Sequence, residues 1–273
     1  MQIGIIGQGF VGNAIYQKFK NFFEVLTYDL NEVKCNSTER EVIDCEIVFV
    51  CLPTPMKKDG SCATFIVEEA LKIINTNNKT DIVVIKSTVV PGTVKRWNET
   101  YDNIQIIHNP EFLTERNAVQ EFNNQSRIVL GGPRPATTKL KQIYSKVFPK
   151  AHIIKTGSTH AELVKYFTNC FLATKVSFAN EMYQLITALD HDYDKVVEYA
   201  TLDSRLGDSH WAVPGPDGDF GYGGHCFPKD LAAIIKLSED LNINPTVLKA
   251  VEEKNNEVRT NRDWEKMKGR AIV

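Results

Sequence analysis

The first half of the chain alternates short runs of β-forming residues with segments long enough to form helices. Six runs are apolar and rich in valine and isoleucine, namely IGII, EVLTY, EIVFVCL, DIVVIKS, IQIIH and RIVLGG, and AHIIKT is expected to add a last one. Strands that are apolar throughout are typical of a parallel sheet with helices on both faces. The order of elements therefore predicts an α/β domain with a doubly wound parallel sheet over residues 1–157.

A glycine motif directly follows the first of these runs. Gly7, Gly9 and Gly12 have the spacing G-x-G-x-x-G, in which the glycines permit a tight turn, close approach of a pyrophosphate and close packing of helix on strand. The second run ends at Asp29, where an acid would bind the ribose hydroxyls and repel a 2′-phosphate. A glycine-rich turn beside an unrelated surface aspartate is the alternative. The flanking strand and helix favour a Rossmann-type domain that binds NAD.

The second half of the chain has a helical pattern. HAELVKYFTNCFLATKVSFANEMYQLITALD is apolar on almost every side, which predicts a long helix in the centre of a structure. YDKVVEYAT, PKDLAAIIKLSEDL and PTVLKAVEEKNNEVRTNRDWEKM predict further helices, and a Gly- and Pro-rich loop lies between residues 203 and 225. We expect an all-helical central domain over residues 158–265, and we expect residues 266–273 to begin a further domain.

Composition excludes some functions. A formal net charge of -2 gives no basic field for nucleic acid or an anionic membrane surface, and no apolar run reaches the ~18 residues of a membrane helix. The start of the chain has no signal-peptide pattern, so we expect a cytoplasmic protein. The six cysteines form no C-x-x-C pair and have no histidine at zinc-finger spacing, which predicts thiols and no metal site.

One cysteine has an unusual setting, in the stretch GYGGHCFPKD. Cys226 precedes a predicted helix with Pro228 in its first turn, so the thiol would lie at the positive end of the helix dipole. Lys229 adds a positive charge that favours a thiolate. Gly221, Gly223 and Gly224 would let a substrate approach the backbone. A buried structural cysteine in a tight turn is the alternative, and this segment alone leaves both interpretations open.

Two polar residues interrupt the apolar helix. Lys165 and Asn169 are four positions apart and therefore share one face, where burial is costly unless they meet a polar group or point into a cleft. Together with Cys226 they would form donors suited to an oxyanion on a carbon bound to sulfur.

Acids and a hydroxyl follow the strands or open a helix. Glu111, Glu115 and Thr88 come after strands, where ligand crevices form, and a carboxylate near a thioester could activate water. Taken alone, each glutamate is equally well an exposed loop acid, and Asp230 an ordinary first-turn acid.

Seven motifs together carry a resemblance to a known family. GQGFVG, CLPTP, IKSTVVPGT, NPEFLTE, AELVKYFTNCFLATKVSFANEM, DSRLG and GYGGHCFPKD occur in the order found in UDP-glucose/GDP-mannose dehydrogenases, which the chain resembles from residue 1 to about residue 262. The resemblance implies NAD-dependent, twofold oxidation of the C6 alcohol of a nucleotide sugar, UDP-glucose above all, to the uronate for polysaccharide biosynthesis. It also implies a homodimer that forms through the long central helix.

The resemblance implies roles for single residues as well. Cys226 matches the nucleophile that forms a thiohemiacetal and then a thioester, and Lys165 and Asn169 match the oxyanion-stabilising pair. Asp230 and Glu115 match acids with acid–base and water-activating roles. Thr88 matches a threonine near the nicotinamide and the water. The implied cofactor contacts are Gly7, Gly9, Phe10, Val11, Gly12, Asp29, Pro53, Thr54, Ser87 and Thr88, and the implied substrate contacts are Glu111, Phe112, Leu113, Lys165, Gly221, Tyr222, Gly223 and Gly224.

The sequence also departs from the family pattern. It stops where a third, nucleotide-binding domain would begin, it has Arg116 and Asn117 where a glycine is usual, and it has His225 before the cysteine. Two other functions are therefore weighed: a truncated relative that binds NAD without turnover, and a β-hydroxyacid dehydrogenase that performs a single oxidation without a cysteine nucleophile.

Overall fold

The computed structural model describes residues 1–273, and the chain forms two compact units. The first contains Met1–Thr54 and Thr64–Lys165, and the second contains Pro55–Ala63 and Tyr166–Val273. The short segment Pro55–Ala63 thus belongs with the later part of the chain, an arrangement that local sequence patterns do not reveal.

A seven-stranded sheet forms the first unit, and its strands are the seven apolar runs of the sequence. The strands are β1 (Gln2–Ile6), β2 (Glu24–Tyr28), β3 (Ile47–Val50), β4 (Ile82–Ile85), β5 (Gln105–His108), β6 (Arg127–Gly131) and β7 (His152–Thr156). They lie in the order β2-β1-β3-β4-β5-β6-β7. The pairs among β1 to β5 are parallel, as predicted. The sheet is not parallel throughout, because β6 meets β5 antiparallel at His108 and Gly131.

Six helices belong to this unit: α1 (Phe10–Phe19), α2 (Glu39–Ile43), α3 (Phe65–Asn77), α4 (Thr93–Thr100), α5 (Ala118–Asn123) and α6 (Arg134–Val147). They bury two separate apolar cores, as a doubly wound sheet requires. One core centres on Phe19, Phe49 and Tyr144, whose rings meet edge to face. The other contains Leu71 and Trp97.

The second unit is helical, with α7 (Ser158–Ala188), α8 (Tyr193–Ala200), α9 (Phe227–Asp240) and α10 (Thr246–Val258). Helix α7 begins in the first unit and continues into the second. Residues 201–226 contain no helix or strand, as the glycine and proline content predicts. Helix α10 ends earlier than predicted. Arg259 adopts an extended backbone there, and its buried guanidinium donates to the carboxylate of Asp217.

The apolar sequence of α7 predicts a helix in the centre of a structure, and in the single chain one apolar face of this helix is exposed. Phe167 is 79% exposed, and Phe171, Phe178 and Leu185 are all more than half exposed. Their spacing of four and seven residues places them on one side of the helix, so an apolar stripe faces outward in the single chain. We call these four residues the α7 stripe.

The end of the chain lies against the segment Pro55–Ala63 in the second unit. The Met56 amide donates to the Ala271 carbonyl at 2.7 Å, and the Val273 amide donates to the Met56 carbonyl at 3.0 Å. That residues 266–273 begin a further domain stays a prediction. No helix of the structure combines the length and the hydropathy that a membrane span requires.

Candidate functional site

The glycine motif forms a turn between β1 and α1 with space in front of the helix. Gly7 has a φ of +91°, and a Cβ there would lie 2.6 Å from the Cys51 carbonyl oxygen. A Cβ on Gly12 would overlap the carbonyl oxygen of Gly7, whereas one on Gly9 would meet nothing within 4 Å. Gly9 is also the N-cap of α1, without a side-chain cap or an acid in the first turn. The N–H groups of the first turn can therefore bind an anion.

Asp29 is held beside this turn at the end of β2. Its Oδ2 accepts a hydrogen bond from the Gln8 amide at 2.6 Å, and its Oδ1 accepts one from the Asn31 amide at 2.9 Å. The side chain of Gln8 is buried, yet its Nε2 has no hydrogen-bond partner. Open space at Gly9, an unsatisfied amide and a ribose-binding acid fit a dinucleotide, with Asp29 disfavouring a 2′-phosphate.

Two loops that follow β3 and β4 are bonded to each other. The Ser87 hydroxyl donates to the Leu52 carbonyl at 2.6 Å, and the Thr54 hydroxyl donates to the Thr88 carbonyl at 2.7 Å. The structure thus brings together the CLPTP and KST motifs, including Pro53, at the carboxyl end of the sheet where ligands bind in such folds.

Lys165 meets its polar partner inside the first unit. Its ammonium donates to the Glu111 carbonyl at 2.6 Å and to the Glu111 Oε1 at 3.0 Å, and both side chains are buried. The other oxygen of Glu111 accepts from the Leu113 amide at 2.6 Å. The ring of Phe112 lies 5.6 Å from the Lys165 nitrogen. The residues of the NPEFL segment therefore surround this ammonium.

Glu115 has a different location from Glu111. It is exposed and lies in a short 3-10 turn, Glu115–Asn117. Together with Phe10 and Asn13 of α1 it borders a cleft of about 320 Å³. Arg116 and Asn117, which stand where the family pattern usually has a glycine, border the same cleft. Glu115 therefore lies near the first turn of α1, the region that fits the pyrophosphate.

A buried polar cluster beneath these loops was not predicted. Lys86 donates to Asn109 Oδ1 at 3.0 Å, and the Tyr144 hydroxyl donates to the same oxygen at 2.5 Å. Burial lowers the pKa of Lys86 to about 8 and that of His108 to about 3. Electrostatic interactions with Glu111 and Lys165 also act on Lys86, in opposite directions. A lysine directly after the apolar strand IVVI is the sequence signal that could have revealed this cluster.

Cys226 lies at the start of α9 in the second unit. It is the N-cap residue, the helix begins at Phe227, and Pro228 occupies the first turn as predicted. The buried ammonium of Lys229 interacts electrostatically with Cys226 and Cys62. Burial opposes the charge of Lys229, but its carboxylate and thiol neighbours outweigh that effect and raise its pKa. By contrast, burial raises the pKa of Cys51 and Cys170 to about 12, which keeps both as inert thiols.

Asp230 is bonded on both oxygens. Asn169 Nδ2 donates to Oδ2 at 2.6 Å, and the Lys229 ammonium donates to Oδ1 at 2.5 Å. All three side chains are buried. The structure therefore assembles Asn169, Lys229 and Asp230 into one hydrogen-bonded group at the helix end that carries Cys226.

The loop before Cys226 is held by side chains of the second unit. Asn180 accepts from the Gly221 amide at 3.1 Å, Asn255 accepts from the Tyr222 amide at 2.7 Å, and Asp263 accepts from the Gly224 amide at 3.0 Å. A Cβ on Gly223 would overlap the Arg259 guanidinium. Close packing inside the unit thus requires that glycine, while Gly224, with a φ of +71°, faces open space.

Comparisons with known proteins identify the family of this chain. Residues 31–148 match the NAD binding domain of the UDP-glucose/GDP-mannose dehydrogenase family, and residues 159–257 match its central domain. The chain belongs to this family. Its first unit is the NAD-binding part, and NAD is its cofactor. The predicted fold, family and cofactor are confirmed.

Individual relatives are similar to this chain over most of its length. UDP-glucose 6-dehydrogenase AglM of Haloferax volcanii is 30% identical, with 92% of this chain and 68% of that protein covered. UDP-glucose 6-dehydrogenase of Pseudomonas aeruginosa is 35% identical, with 78% and 49% covered. A solved UDP-glucose dehydrogenase of Pyrobaculum islandicum matches with a TM-score of 0.84 at 30% identity, over 94% of this chain and 68% of that one. The chain thus spans between 49% and 68% of the length of these relatives.

No group of three or more histidine, cysteine, aspartate or glutamate side chains in the structure has an arrangement that could hold a metal ion.

Proposed function

We propose that this protein carries out the oxidation of a nucleotide sugar at C6, with UDP-glucose converted to UDP-glucuronate and NAD reduced twice. The observation that carries the proposal is Cys226 at the N-terminus of α9, next to the buried group formed by Asn169, Lys229 and Asp230. A helix N-terminus and a buried cation favour a thiolate, which is the nucleophilic form of cysteine.

The first oxidation needs a proton acceptor and stabilisation of negative charge on the C6 oxygen. The alcohol loses a proton to a carboxylate of the protein and a hydride to NAD, which gives an aldehyde. NAD supplies hydride acceptance when it is bound, and Asp29 and the N–H groups at Gly9 would hold it. We assign stabilisation of the oxygen to the donors Lys165 and Asn169.

The second oxidation begins on the sulfur. The Cys226 thiolate adds to the aldehyde carbon, and the oxygen takes up a proton or is stabilised by the amide and ammonium donors. Loss of the hydroxyl proton and of a hydride, for which a second NAD would be the acceptor, leaves a thioester on Cys226. Water then attacks the thioester carbon, the C–S bond breaks, and the uronate leaves while the thiolate is restored.

A carboxylate must activate this water, and Glu111 and Glu115 are the candidates. Glu111 is buried and bonded to Lys165, whereas Glu115 is exposed and borders the cleft at the first turn of α1. We propose that Glu111 acts on the water and that Glu115 contributes to the cofactor side. On this assignment, Glu111→Gln accumulates the thioester, whereas Glu115→Gln chiefly weakens NAD binding.

The experiment that tests the proposal measures NADH formed from UDP-glucose and NAD, with the uronate quantified in parallel. We expect two NADH for each uronate from the unaltered chain. Cys226→Ala should form no uronate and at most one NADH per active site, because the first oxidation precedes attack by the sulfur. Cys45→Ala is the control, because burial keeps that thiol protonated and it lies in the other unit. Mass spectrometry of the Glu111→Gln protein is expected to show a sugar adduct on Cys226.

Two outcomes would replace the proposal by one of the alternatives. NAD binding without NADH formation from a panel of nucleotide sugars would indicate a binding protein. A single NADH for each product, retained in Cys226→Ala, would indicate a one-step hydroxyacid-type dehydrogenase.

We also propose that a second copy of this chain covers the α7 stripe. The stripe runs along one continuous helix for about five turns, and exposed apolar areas of this extent mark interaction sites. Evenly spaced phenylalanine and leucine side chains on a single helix can pack against the same helix of a second copy related by a two-fold axis. The family resemblance, which implies a dimer through this helix, supports the same arrangement.

A further inference from the structure

The N-terminus of α4 has no cap of its own. Its N-cap residue is Gly92, which has a φ of +94° and no side chain to accept a hydrogen bond from the first turn. Helix N-termini usually receive such a bond from a serine, threonine, aspartate or asparagine at that position. The Thr93 amide donates to the Val90 carbonyl at 3.1 Å, but the amides of Gly92 and Val94 need a partner from elsewhere in the chain.

Glu162 of α7 is that partner. Its Oε2 accepts from the Gly92 amide at 2.6 Å, and its Oε1 accepts from the Val94 amide at 2.8 Å. The side chain is 0% exposed. Both oxygens of one buried carboxylate therefore bond to the backbone of a helix that begins about 70 residues earlier in the sequence.

A buried glutamate is a costly way to cap a helix. Burial raises its pKa to about 7, against the lowering effects of the Val94 and Gly92 amides and of Arg96. A serine or asparagine N-cap would satisfy the Val94 amide without burying an ion. Unlike a local cap, the carboxylate of Glu162 also links the start of α4 to α7.

The bonds from Glu162 complete a set of contacts that hold one loop in place. Between β4 and α4 lies the loop that contains Thr88, and the first part of that loop is held by the bond from Ser87 to Leu52 and by the bond from Thr54 to the Thr88 carbonyl. Glu162 holds its other end. One turn further along α7, Lys165 holds Glu111 in the loop after β5. The first turns of α7 thus position two loops at the same edge of the sheet.

We propose that Glu162 is a positioning residue for the cofactor, which keeps the Thr88 loop in place at the nicotinamide end of the NAD site. This inference rests on the proposed role of Thr88 beside the nicotinamide. It assigns Glu162 no direct contact with NAD or substrate.

The test compares the binding of NAD with that of ADP-ribose, which lacks the nicotinamide, by titration calorimetry. In Glu162→Gln one oxygen remains an acceptor, while the amide NH₂ replaces the other and opposes a backbone N–H. We expect NAD affinity to fall about tenfold and ADP-ribose affinity to stay within about twofold of the unaltered protein. Retained ADP-ribose binding also shows that the variant is folded.

The matched control is Glu99→Gln, which removes an exposed carboxylate from the same helix α4. Its affinities for both ligands should equal those of the unaltered protein. Equal losses of NAD and ADP-ribose affinity in Glu162→Gln, or no loss of either, would overturn the inference.

Thr88→Val separates this inference from the proposed role of Thr88. If Thr88→Val weakens NAD binding and Glu162→Gln does not, the positioning role of Glu162 is wrong while the role of Thr88 stands. If Thr88→Val has no effect and Glu162→Gln loses NAD affinity selectively, Glu162 positions the loop and the assignment of Thr88 is wrong.

Hydrogen exchange on the unaltered protein gives a second measurement that needs no variant. NAD should slow exchange of the Gly92 and Val94 amides more than ADP-ribose does, since the nicotinamide would stabilise the loop that Glu162 holds. Equal protection by the two ligands would count against the inference even if Glu162→Gln failed to fold.

Discussion

Lys86 carries its charge in an environment that does little to stabilise it. The side chain is 4% exposed, and its ammonium donates to the neutral oxygen of Asn109. Burial lowers its pKa from 10.5 to about 8, although electrostatic interactions with Cys51 and Glu111 act in the opposite direction. A buried lysine near the cofactor loops that costs stability is typical of a residue retained for function.

The loss of folding stability caused by the buried Lys86 ammonium depends on pH. Between about pH 8 and pH 10.5 the unfolded chain holds this proton and the folded chain does not, so the free energy of unfolding rises with pH in that range. Below pH 8 both states are protonated, and the full penalty of the buried ammonium remains.

We therefore expect Lys86→Met to stabilise the fold at neutral pH, by on the order of 1–3 kcal/mol. The gain should shrink as the pH rises above 8, because the unaltered lysine then becomes neutral as well. Urea unfolding from pH 7 to pH 10 measures both effects, and Lys141→Met, which replaces an exposed lysine of α6, is the control. A destabilised Lys86→Met protein at neutral pH would show that the ammonium is better compensated than its neighbours indicate.

Gly223 and Gly224 are adjacent, but different physical effects disfavour a side chain at each position. A side chain at Gly223 would overlap the Arg259 guanidinium, which is itself held by Asp217 and Asp263, whereas a side chain at Gly224 would meet open space. We expect Gly223→Ala to lower the free energy of unfolding by about 2–3 kcal/mol through overpacking. Gly224→Ala should cost about 1 kcal/mol, the strain of a left-handed backbone. Equal losses in urea unfolding of the two variants would contradict the packing argument.

Helix α7 carries residues of several different structural and proposed functional roles. Its first turns carry Glu162 and Lys165, its middle carries Asn169, and an outward face carries the α7 stripe. Its sequence is apolar on nearly all sides because different faces meet different partners. Hydrophobicity alone identified a long helix, but it could not indicate which face lies outward.

The α7 stripe predicts an effect on association. We expect Phe171→Glu to convert a dimer into a monomer, because a carboxylate would replace a ring that the second copy covers. Sedimentation equilibrium measures the change in mass. Phe65→Glu, which alters an equally exposed phenylalanine of the first unit, should leave the mass unchanged. A monomeric unaltered protein would refute the proposal of a dimer.

At the scale of the whole molecule, NAD binding belongs to the first unit and should stabilise it. A ligand at a hundred times its dissociation constant adds about 2.7 kcal/mol to the free energy of unfolding. We expect Asp29→Ala to lose most of this gain, since the carboxylate holds the Gln8 amide and would bind the ribose. Thermal unfolding with and without NAD tests this, with Asp102→Ala, an exposed acid elsewhere in the unit, as the control. A full NAD effect in Asp29→Ala would remove Asp29 from the cofactor site.

Much of this protein could be predicted from its sequence, because the decisive signals are local. Apolar runs of strand length, the glycine spacing at Gly7 and the helix start at Pro228 depend on neighbours within a few residues. The element order and the NAD domain follow from them, and the family follows from the resemblance that the seven motifs carry. The end of α10 could not be predicted in this way, since it depends on Arg259 reaching Asp217 about 40 residues earlier.

The sequence by itself determined the strands, the helices, the cofactor motif and the candidate residues of the site. Only the tertiary structure decided which partners those groups have: Glu111 for Lys165, Asp230 for Asn169, and the start of α4 for Glu162. The physical reason is that backbone geometry and hydrophobic periodicity are properties of consecutive residues. The energy of a buried charge depends instead on groups that packing brings together from distant parts of the chain.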